Sequence, residues 1–122
     1  MTLQESGEMY LESIYVLSKK SASVRSVDVS EYMGFSKPSV SRAIGLLRQN
    51  GYVTVEPNGN LLLTDSGIKL AKRIYDRHTT LTEMFIRLGV DEKTAAEDAC
   101  RVEHYISDAT FRAVKNHLKS NS

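Results

Sequence analysis

The chain has 122 residues, 41% hydrophobic and 25% charged, with a formal net charge of +1 and a single cysteine. This is the composition of a folded domain rather than a disordered segment. No apolar run approaches the roughly 20 residues of a bilayer span, the N-terminus lacks a signal-peptide pattern, and Cys100 has no partner for an internal disulfide, so a reducing, cytoplasmic setting with no membrane partner is expected.

The near-neutral total hides an asymmetry. Residues 1–15 hold three acids and no Lys or Arg; residues 16–77 hold ten Lys and Arg against five Asp and Glu; residues 78–122 hold six against seven. A basic middle between acidic flanks suggests polyanion contact in the middle, although an unevenly charged solvated surface gives the same count.

Over residues 6–18, Tyr10, Leu11, Ile14 and Leu17 fall on one helical stripe. A short helix is expected from Ser26 to Met33, with Val27, Val29 and Met33 apolar and Gly34 as its left-handed stop. Ser36-Lys37-Pro38 then opens another, with Ser36 as N-cap and Pro38 in the first turn. There Val40, Ile44 and Leu47 face inward, leaving Ser39, Ser41, Arg42, Gly45 and Arg48 outside. From Tyr52 the period changes to two, and Tyr52–Glu56 and Leu61–Thr64 flank Pro57-Asn58-Gly59-Asn60, a hairpin signal. Thr64-Asp65-Ser66-Gly67 caps a long helix to about Leu88, and a further helix is expected from about Asp91 through Cys100 and His104, with a restart or kink at Ser107-Asp108. Leu81, Met84, Phe85, Leu88, Phe111, Val114 and Leu118 read as core or dimer interface.

Helix, short helix, Gly-containing turn, helix and hairpin is the order of a winged helix-turn-helix. The DNA major groove, about 12 Å wide, admits one helix, whose N-terminal residues meet base edges. Ser36, Ser39 and Ser41 are small and can donate to phosphates or bases; the amides near Lys37 and Pro38 offer a positive dipole end to a phosphate. Lys37 and Arg42 add charge, and Arg42 has the fork to pair with guanine. Arg25 and the wing tip at Asn58-Gly59-Asn60 are candidate backbone contacts. Ordinary caps and solvated side chains are the competing reading of the same serines.

In the acidic half, Cys100, Glu103 and His104 stand at i, i+3 and i+4, on one face if the segment is helical. Thiolate, carboxylate and imidazole together suit a first-row divalent metal. The triplet alone is weak, because Glu and His are common on solvated faces. Activation of Cys100 by His104 in a Cys/His enzyme is the nucleophilic alternative, but no oxyanion-hole loop or orienting acid is evident beside them. A redox switch at Cys100 with a structural metal site is another.

Five stretches give the chain a specific resemblance: Glu8–Tyr15, Val24–Val29, Pro38–Arg42, Leu62–Gly67 and Ala99–Asp108. In order and spacing they resemble the diphtheria toxin repressor and manganese transport regulator family of metal-dependent bacterial repressors. The resemblance implies a mostly α fold with a small β-hairpin: an N-terminal winged helix-turn-helix over residues 1–63, then a helical metal-binding and dimerisation domain over residues 64–122. The 122 residues leave none for the small SH3-like β domain that iron-responsive members often add.

The same resemblance makes Met9, Cys100, Glu103 and His104 the main metal ligands. Glu12 and His78 are candidates for a second site, with Glu103 bridging. Thr82 stands where the family usually has Glu, and Ala96 where iron-type members carry His, which departs from the pattern. Manganese-selective relatives carry carboxylates at the positions of Met9 and Cys100; thioether and thiolate favour Fe(II), with Mn(II) next and Co(II), Ni(II) or Zn(II) as substitutes in vitro. The absent β domain is, by contrast, more usual in the manganese kind. The implied protein is a cytoplasmic homodimer that binds a palindromic operator in double-stranded DNA, has no catalytic activity and needs no organic cofactor. Its half-sites would lie about 34 Å, one helical turn, or a family-specific multiple of turns apart.

Overall fold

The computed structural model describes residues 5–120. Its elements run α1 (Glu5–Lys20), α2 (Ser26–Met33), α3 (Lys37–Gln49), β1 (Val53–Val55), β2 (Leu61–Leu63), α4 (Asp65–Arg87), α5 (Glu92–Val102) and α6 (Asp108–Ser120). The chain divides into two compact units, Met1–Lys72 and Arg73–Ser122, and the division falls within α4. No helix among the described residues is long and apolar enough to cross a membrane.

In the first unit, α1, α2 and α3 pack on one another, and the hairpin closes against α1 and α3. Tyr10, Leu11 and Ile14 from α1, Val29 from α2, Val40, Ile44 and Leu47 from α3, and Val53 and Leu61 from the strands are buried, the inward residues expected from the 3.6 and 2 periods. Gly34 ends α2 in the left-handed region at φ 73°, and its N–H donates to the Ser30 carbonyl at 2.9 Å. Ser36 caps α3: its hydroxyl oxygen accepts from the Ser39 N–H at 3.3 Å, and Pro38 lies in the first turn, where its missing N–H costs nothing.

The hairpin pairs Val53 with Leu63, Thr54 with Leu62 and Val55 with Leu61. It is shorter than the period-two pattern suggests, and a buried side chain holds its root. Asn60 Oδ1 accepts from the Val24 N–H at 2.8 Å, its Nδ2 donates to Glu56 at 2.8 Å, and the Leu61 N–H donates to the Val24 carbonyl at 2.7 Å. The loop ahead of α2 is thus pinned to β2. At the start of α4 the Thr64 hydroxyl accepts from the Gly67 N–H at 3.1 Å and donates to the Gly51 carbonyl at 2.6 Å.

In the second unit, α4 buries Ile74, Arg77 and Leu81, α5 buries Ala95 and Ala99, and α6 buries Leu118. Leu88, read as core or dimer interface, is 74% exposed in the single chain, where α4 ends at Arg87 and Gly89 turns at φ 104°. The Asp91 carboxylate caps α5 by accepting from the Thr94 N–H at 3.0 Å, which lowers its pKa.

Side chains of α4 reach α6 at several places. Lys115 Nζ meets Asp76 at 2.7 Å, Arg73 meets Asp108 at 2.8 Å, and Arg77 also donates to Asp108. The hydrogen bond and charge of Arg73, followed by Arg77, hold the Asp108 carboxyl below its ordinary value. A depressed carboxylate stabilises the fold above its unfolded pKa and loses that contribution as pH falls through the folded one. Asp108→Asn is therefore expected to be less stable than the parent at neutral pH, with the difference closing below about pH 4; thermal unfolding across the acid range measures it.

Candidate metal centre and nucleic-acid face

The segment from Cys100 to His104 is not one continuous helix, contrary to its spacing. α5 ends at Val102 and Glu103 is its C-cap. Glu103 keeps right-handed helical angles (φ −57°, ψ −26°) and its N–H donates to Ala99 at 2.9 Å, so the turn from Cys100 to Glu103 retains helical geometry. His104 and Tyr105 then lie in a turn before Ser107 caps α6 by accepting from the Thr110 N–H at 3.2 Å. A buried side chain lies at the interruption. Arg77, only 7% exposed, donates from Nη1 to the carbonyls of Glu103 at 3.2 Å and Ile106 at 2.7 Å, taking up acceptors that the end of a helix leaves unused.

Glu103 is 1% exposed, an unusual place for a carboxylate. One oxygen, Oε2, accepts from His78 Nδ1 at 2.9 Å. The other, Oε1, is buried and accepts no hydrogen bond among the described residues. It lies 3.4 Å from Nε2 of His104, whose side chain is 1% exposed. A buried acceptor without a donor costs about 1–3 kcal/mol, and more when it is charged. A second donor atom aimed at the same space is what a divalent cation needs, and carboxylate oxygen with imidazole nitrogen is a common ligand pair for one. The residues fit a metal.

Among the expected ligands, the second unit brings together His78, Glu103 and His104. Its free thiol, Cys100, is half-buried on α5, one turn before Glu103. Met9 and Glu12 belong to the first unit, three residues apart on one face of α1 and both half-buried. His117 is exposed on α6. Nothing in the sequence marked Arg77, because an arginine in a charged helix is normally a solvated one.

At the other site, Arg25, Lys37, Pro38, Ser41 and Arg42 are exposed. Ser36 and Ser39 are committed partly to each other: besides the cap, the Ser36 hydroxyl donates to the Ser39 hydroxyl at 2.9 Å. Their first role is thus to start α3, which leaves Lys37, Ser41 and Arg42 as outward-facing polar groups of its N-terminal half.

Residues 2–61 match the family profile described as iron dependent repressor, N-terminal DNA binding domain, and residues 64–121 match iron dependent repressor, metal binding and dimerisation domain. The chain is 35% identical over 115 residues to the HTH-type transcriptional regulator MJ0568 of Methanocaldococcus jannaschii, covering 93% of this chain and 92% of that protein. It is 32% identical over 102 residues to the HTH-type transcriptional regulator MntR of Bacillus subtilis, covering 84% and 72%. To the diphtheria toxin repressor of Corynebacterium diphtheriae it is 29% identical, covering 98% of this chain and 54% of that one. The solved structure of the manganese regulator SloR superposes with a TM-score of 0.82 at 28% identity, covering 98% of this chain and 55% of that one, so the chain spans about half its length.

A DNA-binding half followed by a metal-binding and dimerisation half defines the class of metal-dependent transcriptional repressors. The chain belongs to the iron-dependent repressor family. That is a family of regulators rather than enzymes, and it works with DNA, a divalent metal and a second copy of the chain.

Proposed function

We propose that the protein is a homodimeric repressor switched on by Fe(II), with residues 1–63 reading DNA and residues 64–122 sensing metal and dimerising. The observation that carries the reading is the buried Glu103 Oε1, which accepts no hydrogen bond among the described residues and faces His104 Nε2. Cys100, Glu103 and His104 would hold the cation from the second unit and Met9 from the first, with Glu12 and His78 beside Glu103 as an accessory pair. A bound divalent cation would supply positive charge beside this buried carboxylate.

The remaining steps belong to the chain. Met9 lies on α1, and α1 packs against α3, so fixing Met9 fixes the direction in which Lys37, Ser41 and Arg42 point. Ligation then favours one orientation out of an ensemble, a population shift towards the DNA-competent dimer. Two copies of α3 related by a two-fold axis would read a palindromic operator, with Arg42 on a base edge and Arg25, Ser36, Lys37, Pro38, Ser39 and Ser41 towards the backbone. The thioether of Met9 and thiolate of Cys100 are softer than the all-oxygen set that Mn(II) prefers, which supports Fe(II). In vitro affinity still rises from Mn(II) through Fe(II) and Co(II) to Ni(II).

The test is operator binding by anaerobically purified protein titrated with Fe(II) or Mn(II). Tight binding that requires metal and is reversed by chelator is the expected result, with Fe(II) acting at the lower concentration. Operator binding indifferent to chelation would overturn the repressor switch; Mn(II) acting below Fe(II) would overturn the choice of metal.

A further inference from the structure

We infer that Arg77 is a positioning residue for the metal centre: by gripping the Glu103 and Ile106 carbonyls it builds the turn that presents Glu103 Oε1 and His104 Nε2 to one cation. The inference rests on the metal reading above. Two adjacent residues of α4 hold Glu103 from different sides. His78 Nδ1 engages the carboxylate at Oε2, and Arg77 Nη1 engages the same residue's main-chain carbonyl. The first contact fixes which oxygen remains open; the second fixes where the backbone beneath it lies.

The Arg77 guanidinium is a suitable tool. It is planar, carries five donors in a fixed fork and does not lose its charge. One nitrogen spans the carbonyls of Glu103 and Ile106, three residues apart, while Nη2 turns to the Asp108 carboxylate in the first turn of α6. Arg73 binds the same Asp108 oxygen at 2.8 Å, and the Phe111 ring lies 5.5 Å from the guanidinium carbon. The group is thus fixed by partners on more than one side. It sits between the end of α5, where Glu103 and His104 are, and the start of α6.

Without this grip, the natural course of the chain is to continue α5. Glu103 already has helical angles, and the Tyr105 and Ile106 N–H groups both turn back to the Val102 carbonyl at 3.0 Å. In this turn the two side-chain atoms stand 3.4 Å apart. A lysine carries its three donors on one nitrogen and lacks the fixed fork by which Nη1 meets the two carbonyls while Nη2 meets the carboxylate.

The test compares Arg77→Lys, Arg77→Met and Asp108→Asn in the full chain, with Co(II) as the probe. Co(II) affinity and visible ligand-field spectrum are measured on the folded protein, with unfolding followed separately in chelator. Arg77→Met is expected to weaken Co(II) binding by about ten- to a hundredfold and to alter the spectrum, as loss of an outer-sphere partner does. Arg77→Lys is expected to fall between it and the parent. Asp108→Asn, which leaves both carbonyl contacts in place, is expected to change stability but keep affinity within about threefold and the spectrum unchanged. Parental Co(II) affinity and spectrum in Arg77→Met, even with reduced stability, overturn the inference. If that variant does not fold, Arg77→Lys decides on the same readouts. A parent protein that binds no Co(II) instead refutes the metal reading, which separates the two failures.

Discussion

Glu103→Gln is expected to abolish metal-dependent operator binding while leaving the metal-free protein at least as stable as the parent. The two effects have opposite signs because the carboxylate is a poor core residue and a good ligand. Glu103 is 1% exposed and its Oε1 accepts no hydrogen bond among the described residues. Removing such an uncompensated acceptor recovers about 1 kcal/mol or more. Glutamine has the same shape. Its carbonyl oxygen can still accept from His78 Nδ1, and its amide nitrogen, set where Oε1 was, can donate to His104 Nε2. The amide is a far weaker ligand than a carboxylate, and metal affinity is expected to drop by more than about a hundredfold. Unfolding in chelator and operator binding in the presence of Fe(II) report the two halves separately. A variant destabilised in chelator, or one that still represses with metal, would show that the buried charge is structural.

The second large effect is purely steric. Gly67→Ala places a Cβ 2.1 Å from the Tyr52 carbonyl oxygen, 3.1 Å from its carbon and 3.4 Å from Leu63 Cδ2. That carbonyl cannot retreat easily, because it accepts from the Thr64 N–H at 3.0 Å at the base of the hairpin. Alanine would otherwise gain about 1 kcal/mol of helix propensity. Overpacking against backbone outweighs it, and a net loss of about 2–3 kcal/mol is expected, enough to lower Tm by about 10 °C. Gly45→Ala is the control: a Cβ there meets nothing within 4 Å, so the same substitution inside α3 is expected to stabilise. Thermal unfolding of the two variants in parallel tests the contrast, and equal shifts would refute it.

The fold was legible wherever the determinant was local. Gly34, Ser36 and Pro38 mark the turn between α2 and α3 because φ, capping and the missing N–H are properties of those residues themselves. Pro57-Asn58-Gly59 marks the hairpin in the same way. The restart at Ser107-Asp108 was legible as a cap, and α6 begins there. The stop at Val102 was not, because its residues continue a helical pattern and the donor to the Glu103 carbonyl, Arg77, is 26 positions away in sequence. Nor could periodicity separate core from interface at Leu88, which lies just beyond α4 and outside the core of the single chain.

The candidate site divides along the same line. Cys100, Glu103 and His104 could be grouped by spacing, and the resemblance supplied Met9, Glu12 and His78. That Glu103 is buried and half satisfied depends on tertiary packing, which no spacing reveals. The serines at the start of α3 show the reverse: both cap and contact could be read from the sequence, and in the structure Ser36 caps the helix at Ser39 without removing either from its surface.

The anchoring of the wing through Asn60 bears on how such regulators diversify. With only three residues per strand, the hairpin owes its attachment to an amide side chain tied to Val24 rather than to the length of its ladder. The exposed tip around Pro57 and Asn58 holds only its own turn, with Asn58 Oδ1 accepting from the Asn60 N–H at 3.0 Å. Lengthening it would cost only the slow, logarithmic entropy of a larger loop, about 0.6 kcal/mol for each doubling. The span of this arm can be retuned by insertion from one descendant to the next while the three-helix core keeps its sequence.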